Sequence, residues 1–328
     1  MIRSWQWWRA SAGRAGLEGC GASMLTRCTL VAVVAAFGAA SASVSAADGT
    51  QKDFATPDGA ATALVAAVRA NDQQALLAIL GPDGEKLIHS GDDVADLRGR
   101  QHLVTAYDKN HRVRVDHNTA ALVVGPENWS LPIPIVRKGT RWQFDTVASA
   151  QKIIDRRVGR NELSVIQVCR AYVQAQREYA AENPLRSPAK EYAQKFESGT
   201  DRHDGLYWEA GAGQPQSPLG PLFAKARAQG YSGSEPGSAP TPYHGYYYRI
   251  LTRQGAHAPG GARDYVVSGH MTAGFALLAF PARWGDSGIM TFIVNQDGIV
   301  FQKNLGPDTD QLAPQITEYD PDSSWNTP

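Results

Sequence analysis

His102, Asp108, His111, Asp116 and His117 fall in one short stretch of the chain, and an imidazole paired with a carboxylate is the arrangement that moves protons near neutral pH. A working acid–base pair needs hydrogen-bond reach and a fold that turns both groups inward. Without that, histidines at loop and strand ends are solvated side chains, and His244, His257 and His270 invite the same reading. Cys169 is the other chemical candidate, as a nucleophile. It lies between Ile166 and Val173 on an apolar stripe, where cysteine packs as a small hydrophobe, so a core role is expected of it.

Two further sets of residues have the chemistry to hold a ligand. Asp308, Asp310, Asp320 and Asp322 could offer oxygen atoms to calcium, but no glycine and bidentate glutamate fall where a calcium loop needs them, so a solvated acidic tail and no metal are expected. Tyr207, Trp208, Tyr243, Tyr247 and Trp284 belong to an aromatic-rich set that includes Tyr246, Tyr248 and Tyr265. Exposed aromatics beside Gly/Pro-rich segments suit peptide, glycan or partner recognition, although strand alternation must send half of these tyrosines inward. No cofactor is expected. Gly260-Gly261 and Gly211-Ala212-Gly213 lack the strand-then-helix context of a phosphate cradle and read as turns.

Composition narrows the function classes. The 328 residues are 43% hydrophobic and 20% charged, enough for a real core. Lysine plus arginine and aspartate plus glutamate number 32 each, so no net field gathers nucleic acid. Three cysteines, Cys20, Cys28 and Cys169, match no metal-ligand spacing. Arg27 is the only charge between Leu25 and an apolar run over residues 30–40, small residues follow, and Val44-Ser45-Ala46 has the compact side chains that a signal peptidase reads. We expect a signal peptide over residues 1–46, cleaved near Ala46, and a periplasmic or secreted protein. Met24 begins a better-shaped leader than Met1. The apolar run falls short of the roughly 20 residues of a bilayer span, so no stable membrane span should remain after cleavage. Cleavage removes four arginines and one glutamate, leaving 28 basic and 31 acidic residues, a net charge of −3. It also leaves Cys169 alone, so no internal disulfide can staple the mature fold.

The elements that must position these residues read as an α+β fold in two modules, over residues 50–160 and 161–306, followed by the acidic tail over 307–328. Thr56-Pro57-Asp58 opens a helix with a hydroxyl cap, a proline at its first position and an acid in its first turn. Its apolar face is Ala60, Ala61, Leu64, Val65 and Val68. Helices over 73–80 and 92–107 follow. The period then changes to two, with strands over 112–116, 120–124, 131–136 and 141–147, the third confined to an edge by Pro132 and Pro134. The second module opens with a helix over 162–181, whose stripe is Leu163, Ile166, Cys169, Tyr172, Val173 and Tyr179, stopped by Asn183-Pro184. A Gly/Pro-rich insertion over 187–242 carries helix-like pieces at 189–196 and 222–229. Strands over 246–252, 264–268, 274–280, 289–295 and 299–303 complete a meander, with 275–280 apolar on both faces and therefore central. Asn295-Gln296-Asp297-Gly298 should turn a hairpin.

Helices followed by a curved meander resemble, in element order, a small nuclear-transport-factor-2-like cone. The long helix, then Gly245-Tyr246-Tyr247-Tyr248-Arg249-Ile250, Gly274 to Pro281 and Ser287 to Gly298, resembles the head domain of type IV pilin-like proteins. In pilins that helix continues from an apolar half that builds filaments, whereas here a folded module precedes it. The phrases Phe54-Ala55-Thr56-Pro57-Asp58, Leu206-Tyr207-Trp208, Ser217-Pro218-Leu219-Gly220-Pro221, Pro242-Tyr243-His244-Gly245 and Met290-Thr291-Phe292-Ile293-Val294-Asn295 resemble the bacterial exported family known as domain of unknown function 2950, over nearly all of residues 50–328. That resemblance implies no activity. The expected role is a non-catalytic cell-envelope module binding an envelope protein or ligand. The alternatives are a small-molecule binder or hydrolase/isomerase-type enzyme working in the pocket of the first module, and a minor pilus-related component.

Overall fold

The computed structural model describes residues 51–211, 213–232 and 240–328. The expected signal segment lies outside them. Helices and antiparallel sheets are both present, an α+β protein. Among the described residues no helix is long and apolar enough to cross a membrane.

The N-terminal elements follow their local signals closely. Helix α1 (Pro57–Ala70) starts where Thr56 Oγ1 accepts the Gly59 N–H at 3.0 Å, and it buries the expected face. Asp72 caps α2 (Gln73–Leu80) by accepting the Ala75 N–H at 2.9 Å. A short turn, α3 (Glu85–Ile88) and then α4 (Asp93–Lys109) follow. Strands β1 (His111–Asp116), β2 (Thr119–Val124), β3 (Trp129–Ser130), β4 (Ile135–Lys138) and β5 (Arg141–Phe144) form one antiparallel sheet, in the order β1-β2-β4-β5 with β3 also beside β2. The strand expected over 131–136 is broken. Pro132 and Pro134 cannot donate to a ladder, so pairing stops before them and resumes at Ile135, between β2 and β5 and not on an edge.

The expected boundary at residue 160 falls inside a single helix, α5 (Val147–Glu182), 36 residues and about 54 Å long. Asp145 accepts the Ala148 N–H at 3.3 Å near its start. Its first half buries Ile154 and Val158, four residues apart, and leaves Lys152, Asp155 and Arg156 to solvent. This half ties the modules together. Arg157 donates to the Lys86 carbonyl at 2.9 Å, Asn161 to the Ser287 carbonyl at 2.8 Å, and Glu162 accepts the Ile289 and Met290 N–H groups at 2.9 and 3.0 Å.

After α6 (Gly220–Ala228), the chain forms β6 (Tyr246–Leu251), the short strands β7 (Arg253–Gln254), β8 (Arg263–Asp264), β9 (Val266–Val267) and β10 (His270–Met271), then β11 (Ala276–Pro281), β12 (Met290–Asn295) and β13 (Val300–Asn304). The main sheet runs β13-β12-β11-β6, antiparallel throughout. Ala276 to Ala279 are fully buried; because successive side chains alternate, β11 is covered on both faces. Gly298, at φ 81°, closes the β12–β13 hairpin with its N–H on the Asn295 carbonyl. The piece at 189–196 is extended and not helical, because buried Gln176 bonds both the N–H and the carbonyl of Ala193, and Tyr192 bridges to Met271. The segment after residue 306 is packed and not a solvated tail. It forms α7 (Thr309–Leu312), buries Ala313 and Tyr319, and receives the Arg249 guanidinium on the Ala313, Pro314 and Ile316 carbonyls.

Candidate functional site

A largely apolar pocket of about 170 Å³ lies in the C-terminal module. Four separate pieces of chain wall it: the second half of α5 (Val168, Tyr172), the turn at Phe196-Glu197, α6 with its flanks (Leu219 to Tyr231), and the run into β6 (Tyr243, Tyr247, Tyr248). Each piece is placed by a local device. The turn lies against Tyr207 through Tyr207 N–H to the Phe196 carbonyl and Ser198 N–H to the Tyr207 carbonyl, both 2.8 Å. The two segments approach so closely that a Cβ on Gly205 would stand 2.6 Å from the Glu197 carbonyl carbon, so only glycine fits there. On α6, Leu219, Leu222, Phe223 and Ala226 recur at helical spacing and give one apolar wall.

Asp92 fixes the remaining side. This buried carboxylate caps α4 by accepting the Ala95 N–H at 2.9 Å, and it also accepts the Tyr231 hydroxyl and the Gly245 N–H, each at 2.8 Å. Tyr231 then meets Tyr243 edge-on at 5.0 Å, so a residue of the first module orients two aromatics of the pocket.

Three polar features interrupt the apolar lining. The Tyr243 hydroxyl is buried and has no hydrogen-bond partner among the described residues. Burial pushes its pKa up. Glu197 is half-buried, with its carboxyl held above the usual carboxylate range by desolvation, against a smaller opposing pull from Arg227. Arg227 is committed elsewhere. Its guanidinium donates to Glu209 at 2.8 Å and lies 5.2 Å from the Tyr207 ring, which is itself stacked on Phe223 at 4.2 Å and 2°.

Of the aromatics named from sequence, Tyr243 and Tyr247 line this pocket and Tyr207 backs it through Phe223. Trp208 is buried against His203, with ring centroids 4.4 Å apart, and Trp284 donates to Asn304 at 2.9 Å; neither lines it. The histidines and aspartates of the first module do not meet. His102 is exposed on α4, Asp108 is paired with Arg69, which holds its carboxyl below the usual range, His111 stacks on Tyr107 and bonds its carbonyl at 2.9 Å, and Asp116 holds His117 at 2.7 Å in solvent. Asp308 and Asp310 flank the start of α7, Asp320 is bonded by the N–H and Nδ1 of His257 at 2.7 and 2.8 Å, and Asp322 accepts the Ser324 N–H at 2.8 Å. Among the described residues no group of three or more His, Cys, Asp or Glu side chains is arranged to hold a metal ion. Cys169 is buried in the core, where desolvation pushes its thiol up to about 12.

Glu197, Phe223, Arg227 and Tyr231 were not singled out from sequence. The apolar recurrence from Leu219 to Ala226 was a usable signal for the α6 wall. No pattern marks Glu197, whose position depends on contacts with chain far from it in sequence. No curated protein and no solved structure matches this chain. A family model described as a protein of unknown function, DUF2950, matches residues 51–327, spanning both modules and the closing segment, and the chain belongs to that family.

Proposed function

We propose that this is a non-catalytic protein of the cell envelope, exported by the leader read in its first 46 residues, that binds a small and mostly apolar molecule in the pocket beside α6. The observation that carries the reading is the pocket itself: about 170 Å³, walled largely by aromatic and aliphatic side chains. Cavities of about 150 Å³ with such walls accept benzene-sized guests. Against an acid–base enzyme in the first module stands the exposure of His102, Asp108, His111 and Asp116 in separate local contacts. Against a filament role stands the α5 stripe, which is covered from Ile166 to Tyr179 and leaves only Leu163 exposed. The helix on a four-stranded meander supports a pilin-head-like ancestry of the second module, and helices leading into a five-stranded sheet support a cone-like first module.

Ligand-observed saturation-transfer NMR with benzyl alcohol and the purified mature chain tests the pocket. Binding should be seen and should vanish in Ala226→Trp, which fills the space from the α6 wall. Absence of binding in the parent chain, or undiminished binding in the variant, overturns the proposal.

A further inference from the structure

We infer that the guest of this pocket is an organic cation, an ammonium group on an apolar body; the inference rests on the binding role proposed above. Two charged side chains reach the pocket wall, and only one of them is matched. Arg227 gives its guanidinium to Glu209 at 2.8 Å. Glu197 receives no hydrogen bond to its carboxylate from any described residue and forms no ion pair with one. With Glu209 balancing Arg227, the charge left over at the wall is the negative one of Glu197. Lys195 is held by Asp204 at 2.6 Å, and Arg98 and Lys225, whose charges are felt at Tyr243 and His244, do not line the pocket.

The apolar walls favour the same sign. The faces of aromatic rings carry negative potential and hold cations, which is the use already made of Tyr207 by the Arg227 guanidinium 5.2 Å from its centre. Tyr243 and Tyr247 add further aromatic side chains to the pocket wall. A carboxylate guest would meet Glu197 with like charge and would have to displace Glu209 to reach Arg227.

Three probes of one shape separate the alternatives: benzylamine, benzyl alcohol and benzoate, titrated into the mature chain at pH 7 and followed by NMR shift changes. Benzylamine should bind about five-fold more tightly than benzyl alcohol, the size of one partly screened charge contact, and benzoate more weakly than both. Glu197→Gln should bring benzylamine to the level that the same variant shows for benzyl alcohol, with the urea midpoint measured separately to report that the variant is folded. If benzyl alcohol binds but benzylamine gains nothing, if its gain survives in Glu197→Gln, or if benzoate binds most tightly, the charge assignment is overturned and the pocket reading stands. Failure of all three probes to bind overturns both.

Discussion

In the N-terminal sheet the outermost strand, β1, leaves His111, Arg112, Arg114, Val115 and Asp116 to water, whereas in the C-terminal sheet Ala276 to Ala279 of β11 touch no solvent at all. The difference lies in what covers them. β1 has one neighbour, β2, and its exposed side chains are mostly charged, the usual guard on an unpaired edge. β11 has a strand on each side, α5 bonded across it through Tyr172 to the Ala276 carbonyl at 3.2 Å, and the closing segment packed on it. Chemistry-bearing residues that are near in sequence sit on the first sheet and its feeding helix, where adjacency along the chain brings no convergence. The pocket forms in the second module, where pieces of chain from Val168 to Tyr248 are forced together by the core they share.

The sharpest break of this comparison is a matched pair of truncations. Phe292→Ala removes a fully buried ring from β12 and should cost about 4 kcal/mol in urea unfolding. Val115→Ala trims a side chain that is 51% exposed on β1 and should stay within about 0.5 kcal/mol of the parent. A large loss for Val115→Ala would mean that β1 is covered in solution, by a partner or a second copy, and that the two sheets are less different than they look here.

Between the two regions stands Asp92, and its removal should have the next largest effect. Asp92→Ala strips the α4 cap and orphans the Tyr231 hydroxyl and the Gly245 N–H in a buried setting, for about 3 kcal/mol in total. Tyr231→Phe removes one of those bonds and should cost about 1 kcal/mol. Benzyl alcohol binding should weaken along with stability in both, because Tyr231 orients Tyr243. If stability falls but binding does not, the seam holds the modules together without shaping the pocket.

Much of this architecture was legible in the residues. Asp72 and Gly81-Pro82 bracket α2 at the observed bounds, and the doubly apolar run around Leu277 identifies the central strand. The first half of α5 was missed because Arg141 to Val147 reads as one strand and the charges from Lys152 to Arg160 obscure Ile154 and Val158, although their spacing of four is a helical signal. Pro132 and Pro134 were recognised as barred from a ladder, yet their effect is to split a strand and not to push it to an edge. For the site, Tyr243 and Tyr247 stood out as aromatics. Glu197 did not, since a carboxylate reaches the pocket wall there only when Gly205 lets two chain segments close on each other, an event that no local pattern encodes.

The smallest effect should come from the contact that pins the closing segment beside β7. His257 Nδ1 lies 2.8 Å from Asp320, and that hydrogen bond and charge raise the imidazole pKa. A group whose pKa is higher folded than unfolded adds stability that is complete below the unfolded value, about 6.5, and is lost as pH rises through the folded one. His257→Gln should therefore lower the urea midpoint at pH 5.5 and leave it unchanged at pH 8.5. The shift should be slight, because the imidazole is exposed and the pair is screened, and it should shrink further in high salt. Equal losses at both pH values would mean that the imidazole holds the segment at this point by shape and by a hydrogen bond that the neutral ring also makes to Asp320, with no part played by charge.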